Sequence, residues 1–176
     1  GVGISHNPES NMKTASGVAP VPAYLRAGIA VGRGTDGAAS NNDLDMFEAM
    51  RVAALLHKHE TVDPTALSAR TVVEMATIRG ARALGMETRI GSLEPKKKAD
   101  LITVSVSGAR QTPMYDPLSH LVYVIHGDDV RNTIVNGKVL MRDRKVLTLD
   151  ETAILAEARS WAGKVRAAVK PAAISR

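Results

Sequence analysis

Three stretches of the chain carry residue types able to do chemistry. The first is Val31-Gly32-Arg33-Gly34-Thr35-Asp36-Gly37-Ala38-Ala39-Ser40-Asn41-Asn42, where a carboxylate follows a short apolar run and is flanked by glycines. A carboxylate just beyond the C-terminal end of a buried parallel strand stands where α/β barrels put their catalytic groups. Glycine on either side lets the backbone pass close to a ligand or metal. A second use of Asp36 is open on the same residues: capping its own loop by accepting from local amides. The second stretch, Ser5-His6-Asn7-Pro8-Glu9-Ser10-Asn11, gathers His, Asn, Ser and Glu into one polar loop. Such a loop either hydrogen-bonds a polar ligand or satisfies the backbone of a tight turn, and His6 fits both. The third, His57-Lys58-His59, has the spacing of a metal-binding His-x-His, which works on a strand because alternate side chains share a face. It lies at the end of a helix-patterned segment, where residues two apart point to different sides, so it reads as a pair of solvated helix-end histidines. With no cysteine among 176 residues, any metal must be held by His, Asp or Glu. A catalytic metal takes about three protein ligands, and the chain offers one well-placed carboxylate.

The elements that must position these residues fall into two textures. Up to about residue 88, short apolar strands alternate with helices, the signature of α/β units with a parallel sheet. Gly3-Ile4-Ser5 reads as a strand end, Pro20 to Ala27 as a short helix stopped by Gly28, and Ile29 to Gly32 as a buried strand. A long helix is expected from Asp43 to Lys58, capped by Asn41 or Asn42, with Leu44, Phe47, Met50, Ala54 and Leu55 at helical spacing. Asp63-Pro64 opens a further helical segment, Ala66 to Leu84, with a break expected near Thr77 to Gly80. From residue 89 the chain turns β-rich. Ala99 to Val104 is a strand, and Val130 to Val135 joined through Asn136-Gly137 to Lys138 to Met141 is a hairpin, because Asn-Gly adopts the positive φ values of a type I′ turn. A short strand at Lys145 to Leu147 precedes a terminal helix to about Val169, with Ile154, Leu155, Ala158, Trp161, Ala162 and Val165 on one face. Trp161 and the methionines read as core. Two domains are expected, 1–88 and 89–176.

Composition narrows the function classes. Apolar residues make up 44% and charged residues 23%, which argues against disorder and collagen-like repeats. No apolar run reaches the roughly 20 residues of a membrane span, and Gly1 onward lacks the layout of a signal peptide, so neither membrane nor export is expected. The formal charge of +5 invites a nucleic-acid reading, but the excess is scattered and aromatics are only 3%, which removes a stacking platform. The densest basic run, Lys96-Lys97-Lys98, reads as a solvated turn beside Glu94 and Asp100.

Taken together, Ser5-His6-Asn7-Pro8-x-Ser10-Asn11-x-Lys13-x-x-Ser16-Gly17-x-Ala19-Pro20 and Gly34-Thr35-Asp36-Gly37-Ala38-Ala39-Ser40-Asn41-Asn42-x-Leu44-Asp45-Met46-Phe47 resemble the amidohydrolase superfamily. Within it they are most similar to the group of 5-methylthioadenosine/S-adenosylhomocysteine deaminases. Ile90-Gly91-Ser92-Leu93-Glu94-Pro95-x-Lys97-x-Ala99-Asp100-Leu101-Ile102 and Val135-Asn136-Gly137-Lys138-Val139 carry the same resemblance, which extends to about Val169.

The resemblance implies the C-terminal part of a metal-dependent (β/α)8 barrel, its seventh strand ending at Ser5 and its eighth running from Ile29 to Arg33. A segment of a composite β-sandwich (89–147) and a closing helix would follow. Asp36 falls on the family's metal-binding aspartate, which also moves the proton of the attacking water. His6, Asn7 and Ser40-Asn41-Asn42 would line or support the pocket, His6 as a substrate-binding residue. The implied cofactor is a divalent metal, zinc first and iron second. The implied substrate is a small purine nucleoside, whose adenine ring is hydrolytically deaminated. The family's His-x-His, its further histidine ligand and its glutamate acid/base would lie upstream of Gly1. The missing N-terminal portion or chain is therefore an expected partner, and the whole enzyme an expected cytoplasmic homo-oligomer. Guanine or cytosine deaminases and triazine hydrolases share the scaffold. A non-catalytic piece or basic binding module is the reading outside enzymes.

Overall fold

The computed structural model describes residues 1–169. Two sheets organise them. In the first, β1 (Gly3–His6) and β2 (Ala30–Arg33) pair in parallel, with Ile4 opposite Val31 and His6 opposite Arg33. Two short helices, α1 (Pro8–Lys13) and α2 (Val21–Arg26), make the connection. Alternation sends Ile4, His6, Val31 and Arg33 to one face. There Val31 and Ile4 join a core with Phe47, Met50 and Ala54 of α3 (Met46–Thr61) and Val72 and Met75 of α4 (Ala69–Ala76). The opposite face carries glycine because α5 (Ile78–Ala83) lies directly on it. A Cβ on Gly3 would fall 1.9 Å from the Ala83 carbonyl oxygen, and one on Gly32 would fall 2.8 Å from the Gly80 Cα.

The second sheet is antiparallel, in the order β3 (Leu101–Val104), β4 (Val130–Val135), β5 (Lys138–Arg142), β6 (Lys145–Val146). The expected hairpin is present: Asn136 and Gly137 take φ of 51° and 76°, as a type I′ turn requires. Between β3 and β4, α6 (Pro117–Tyr123) packs against α3 and α4, burying Val122 and Ile125 in the same core.

Several elements differ from expectation for local reasons. Ser5 to Asn11 is not one loop: Pro8, at the first helical position, starts α1 where its missing N–H costs nothing. The long helix begins at Met46, capped by Asp45 rather than Asn41 or Asn42, because Asn42 and Leu44 sit at φ of 80° and 60°. Asp63 caps only a local turn; Leu67 at φ 44° delays the helix to Ser68, whose hydroxyl accepts from the Thr71 N–H. The break falls at Thr77, as expected. The terminal helix α7 (Glu151–Ala168) forms but buries none of its residues. It therefore closes against nothing among the described residues, and Trp161, expected in the core, is 56% exposed. Met50 and Met75 are core, but Met12 and Met114 are exposed. The last seven residues of the expected 89–176 unit, 170–176, lie outside the described residues.

Candidate active site

Beyond β2 the chain passes Gly34 and Thr35 and reaches Asp36, exposed and held at φ 66°. Its carboxylate stands at the C-terminal end of the parallel pair, the expected location. One of its oxygens, Oδ2, accepts from the Ser10 hydroxyl at 2.8 Å and from the Ser40 hydroxyl at 2.6 Å. These two hydroxyls and the Gly37 N–H hold the Asp36 carboxyl below the usual range, so the group stays charged. Helix α1 grips the same loop at two further points. Glu9 accepts from the Asn41 amide, and the Lys13 ammonium donates to the Ala39 carbonyl at 2.8 Å and to Asn42 Oδ1. Downstream, Asp45 caps α3 by accepting from the Phe47 N–H and also accepts from the Gly127 N–H, both at 2.8 Å. The Asp36 loop is thus pinned from α1 on one side and α3 on the other.

His6 lies elsewhere. It leaves β1 on the helix-facing side, 3% exposed, and its Nε2 is 3.1 Å from Nε2 of His57. His57, read from sequence as a solvated helix-end residue, is 1% exposed. It follows Phe47, Met50 and Ala54 along one stripe of α3, a spacing that carried the signal. His59 is exposed, so the two histidines diverge as a helix demands. Arg33 completes a buried polar cluster beneath the loop. It is 8% exposed, and none of its three guanidinium nitrogens has a hydrogen-bond partner among the described residues; the same holds for Glu9 Oε1 and His6 Nδ1. Burial, reinforced by His57 and Arg33, pushes the His6 imidazole down to about 4. Burial also lowers His57, lowers Arg33 to about 10 against the pull of Glu9, and raises Glu9.

The donor set fits a metal in part. Asp36 offers a charged carboxylate whose Oδ2 takes both serine hydroxyls and whose Oδ1 takes neither, suited to ligation from one side. No group of three or more His, Asp or Glu among the described residues can hold an ion, so Asp36 fits as one ligand of a site completed elsewhere. No described helix is long and apolar enough to cross a membrane. A groove of about 980 Å³ runs between the two sheets past Gly3, Gly32, Leu93, Leu101 and Ile134, but does not include Asp36.

The chain is thus mixed α/β, with a carboxylate at the C-terminal end of a parallel strand pair, and comparison with known proteins places it in a family. The sequence profile described as the amidohydrolase family matches residues 1–140, and the chain belongs to that family. It is 51% identical over 164 residues to a 5-methylthioadenosine/S-adenosylhomocysteine deaminase of Syntrophomonas wolfei, covering 93% of this chain and 38% of that protein. It is 57% identical over 162 residues to a 5'-deoxyadenosine deaminase of Methanosarcina barkeri, covering 92% and 37%. The crystal structure of an adenosine deaminase from Xanthomonas campestris with bound zinc superposes with a TM-score of 0.92 at 44% identity, covering 95% of this chain and 38% of that one. A triazine hydrolase variant superposes at 0.80 with 33% identity, covering 91% and 35%. The chain therefore spans well under half the length of the relatives it matches.

Proposed function

We propose that this chain is the C-terminal portion of a metal-dependent aminohydrolase that deaminates the adenine ring of 5'-modified adenosines: 5-methylthioadenosine, S-adenosylhomocysteine or 5'-deoxyadenosine. In this reading β1 and β2 are the seventh and eighth strands of a (β/α)8 barrel, residues 1–88 its C-terminal part, and 89–176 the chain's share of a β-sandwich. The observation that carries the proposal is Asp36: a charged carboxylate at the mouth of the parallel strands, fixed through Oδ2. Its context in a family member similar to named adenosine-type deaminases supports the same reading.

Asp36 would be one ligand of a divalent metal, zinc in first place, since a zinc-bound structure is among the most similar. Such a metal supplies a water of lowered pKa. The work of this chain's residues is to hold and move a proton. The Asp36 carboxylate would take the proton from the water as the water attacks the ring carbon bearing the amino group, then pass it to the amine as the C–N bond breaks and ammonia leaves. The loop, held by Glu9 and Lys13 of α1, keeps the carboxylate in place through both transfers, and the His6 carbonyl accepts from the Gly34 N–H at the root of the loop. Ring-nitrogen protonation falls to a group from the remainder of the protein. Triazine hydrolysis is the second reading, favoured by the triazine hydrolase superposition. Ammonia release by the complete protein from 5'-deoxyadenosine, 5-methylthioadenosine, S-adenosylhomocysteine and an amino-triazine decides between them. Preference for an adenosine supports deamination of that class. Turnover of the triazine alone overturns it.

A further inference from the structure

We propose that Ser10 is a positioning residue for the Asp36 carboxylate, its hydroxyl occupying Oδ2 so that Oδ1 is the oxygen presented to the metal and to the attacking water. The inference depends on the reading of Asp36 as a metal ligand and goes beyond it by assigning separate tasks to the two oxygens.

An exposed carboxylate on a loop rotates freely, and either oxygen, or both, can then face an ion. Here two hydroxyls converge on the same oxygen, at 2.8 Å from Ser10 and 2.6 Å from Ser40. The two donors are not equivalent. Ser40 lies in the loop it stabilises and is also within reach of the Gly37 carbonyl at 3.2 Å, so its single proton is shared. Ser10 is 7% exposed, belongs to a separate element, and has Asp36 as its one side-chain acceptor among the described contacts. Its place is fixed by the helix around it: Pro8 sets the start of α1, Glu9 and Lys13 hold the loop on either side of it, and the Thr14 hydroxyl donates to the Ser10 carbonyl at 2.8 Å. Ser10 thus ties the carboxylate to the β1 side of the site, whereas Ser40 moves with Asp36.

The test uses the complete enzyme, loaded with zinc and, separately, with cobalt(II) as a spectroscopic probe. Ser10→Ala removes the donor, Ser10→Thr keeps a hydroxyl, and Ser10→Cys keeps the size with a weak donor and serves if the alanine variant does not fold. Expected for Ser10→Ala are an altered cobalt absorption spectrum, zinc affinity weakened about tenfold to a hundredfold, and a fall in kcat with KM nearly unchanged. The threonine variant restores the spectrum. A cobalt spectrum and zinc affinity unchanged in Ser10→Ala, or changed but not restored by threonine, overturn the positioning role. Asp36→Ala separates the two levels: if it keeps zinc and activity, the metal-ligand reading of Asp36 itself fails.

Discussion

Two polar clusters sit a few residues apart on the same pair of parallel strands, and they are built on opposite principles. Above the strand ends, Asp36 is exposed, and its charge is supported by hydroxyl donors that lower its proton affinity. Below, His6, His57, Arg33 and Glu9 are shifted chiefly by burial, each toward its neutral form, and several of their polar atoms have no partner among the described residues. The larger displacement lies in the cluster that faces the helices, away from the strand mouth. The large shifts here therefore mark desolvation, while the shift at Asp36 comes from hydrogen bonds that preserve its charge. Perturbed groups gather at functional sites only as a tendency, and structural clusters perturb them too.

The strongest way to break this comparison is Asp36→Asn in the complete protein. It keeps the shape and removes the charge, so nearly all turnover and most bound zinc should be lost, while the thermal midpoint compared between the metal-free proteins hardly moves, because the group is exposed. Measurable turnover near the wild-type level would place the chemistry elsewhere.

The next effect belongs to the buried cluster and is read by pH. His6 titrates near 4 in the folded protein against about 6.5 when unfolded, so between these values the unfolded state binds the extra proton. Stability is full above about 6.5 and falls as pH drops toward 4, by about 3 kcal/mol from His6 alone, with His57 adding in the same direction. Denaturant melts across that range check the slope, and replacing His6 and His57 together by apolar residues should flatten it. A slope that survives the replacement would assign the acid sensitivity to other groups.

A smaller effect is expected from Asp45, which links the two halves of the described structure by capping α3 and accepting from Gly127. Asp45→Ala should cost about 1–2 kcal/mol of stability in a urea melt, the usual value of a lost helix cap with a second bond attached. It should lower turnover less than Asp36→Asn, since it acts on the far end of the loop.

How much of this was legible in the sequence follows from the kind of signal each residue gives. The place of Asp36 was legible, because a strand, a glycine and a carboxylate in succession put the carboxylate just past the strand end; what it does there is implied only by the family resemblance. The hairpin was legible because Asn136-Gly137 answers a specific backbone demand. The burial of His57 is encoded only in the apolar stripe from Phe47 that it continues, while its place beside Lys58 and His59 carries the opposite signal of a solvated helix end. Helix α1 was hidden inside a run of loop-forming residues whose only helical sign is Pro8 at its start. With it went the tie between Ser10 and Asp36, 26 positions apart, which no local pattern encodes. The amphipathic face of α7 was legible, but periodicity names a face and not its partner, and here that face lies open.

Lys13 gives the smallest expected effect and the finest test of the contrast. Its ammonium spans from α1 to the Ala39 carbonyl and the Asn42 side chain, but on the exposed side of the loop, where water replaces a lost partner readily. Lys13→Met should therefore change stability by no more than about 0.5 kcal/mol. If the loop is held from α1 chiefly through Ser10, turnover should fall by less in Lys13→Met than in Ser10→Ala, and zinc affinity should stay within about threefold of wild type. A loss in Lys13→Met equal to that in Ser10→Ala would mean that the whole helix, rather than one buried hydroxyl, sets the aspartate, and the difference between an exposed tie and a buried one would carry no weight at this site.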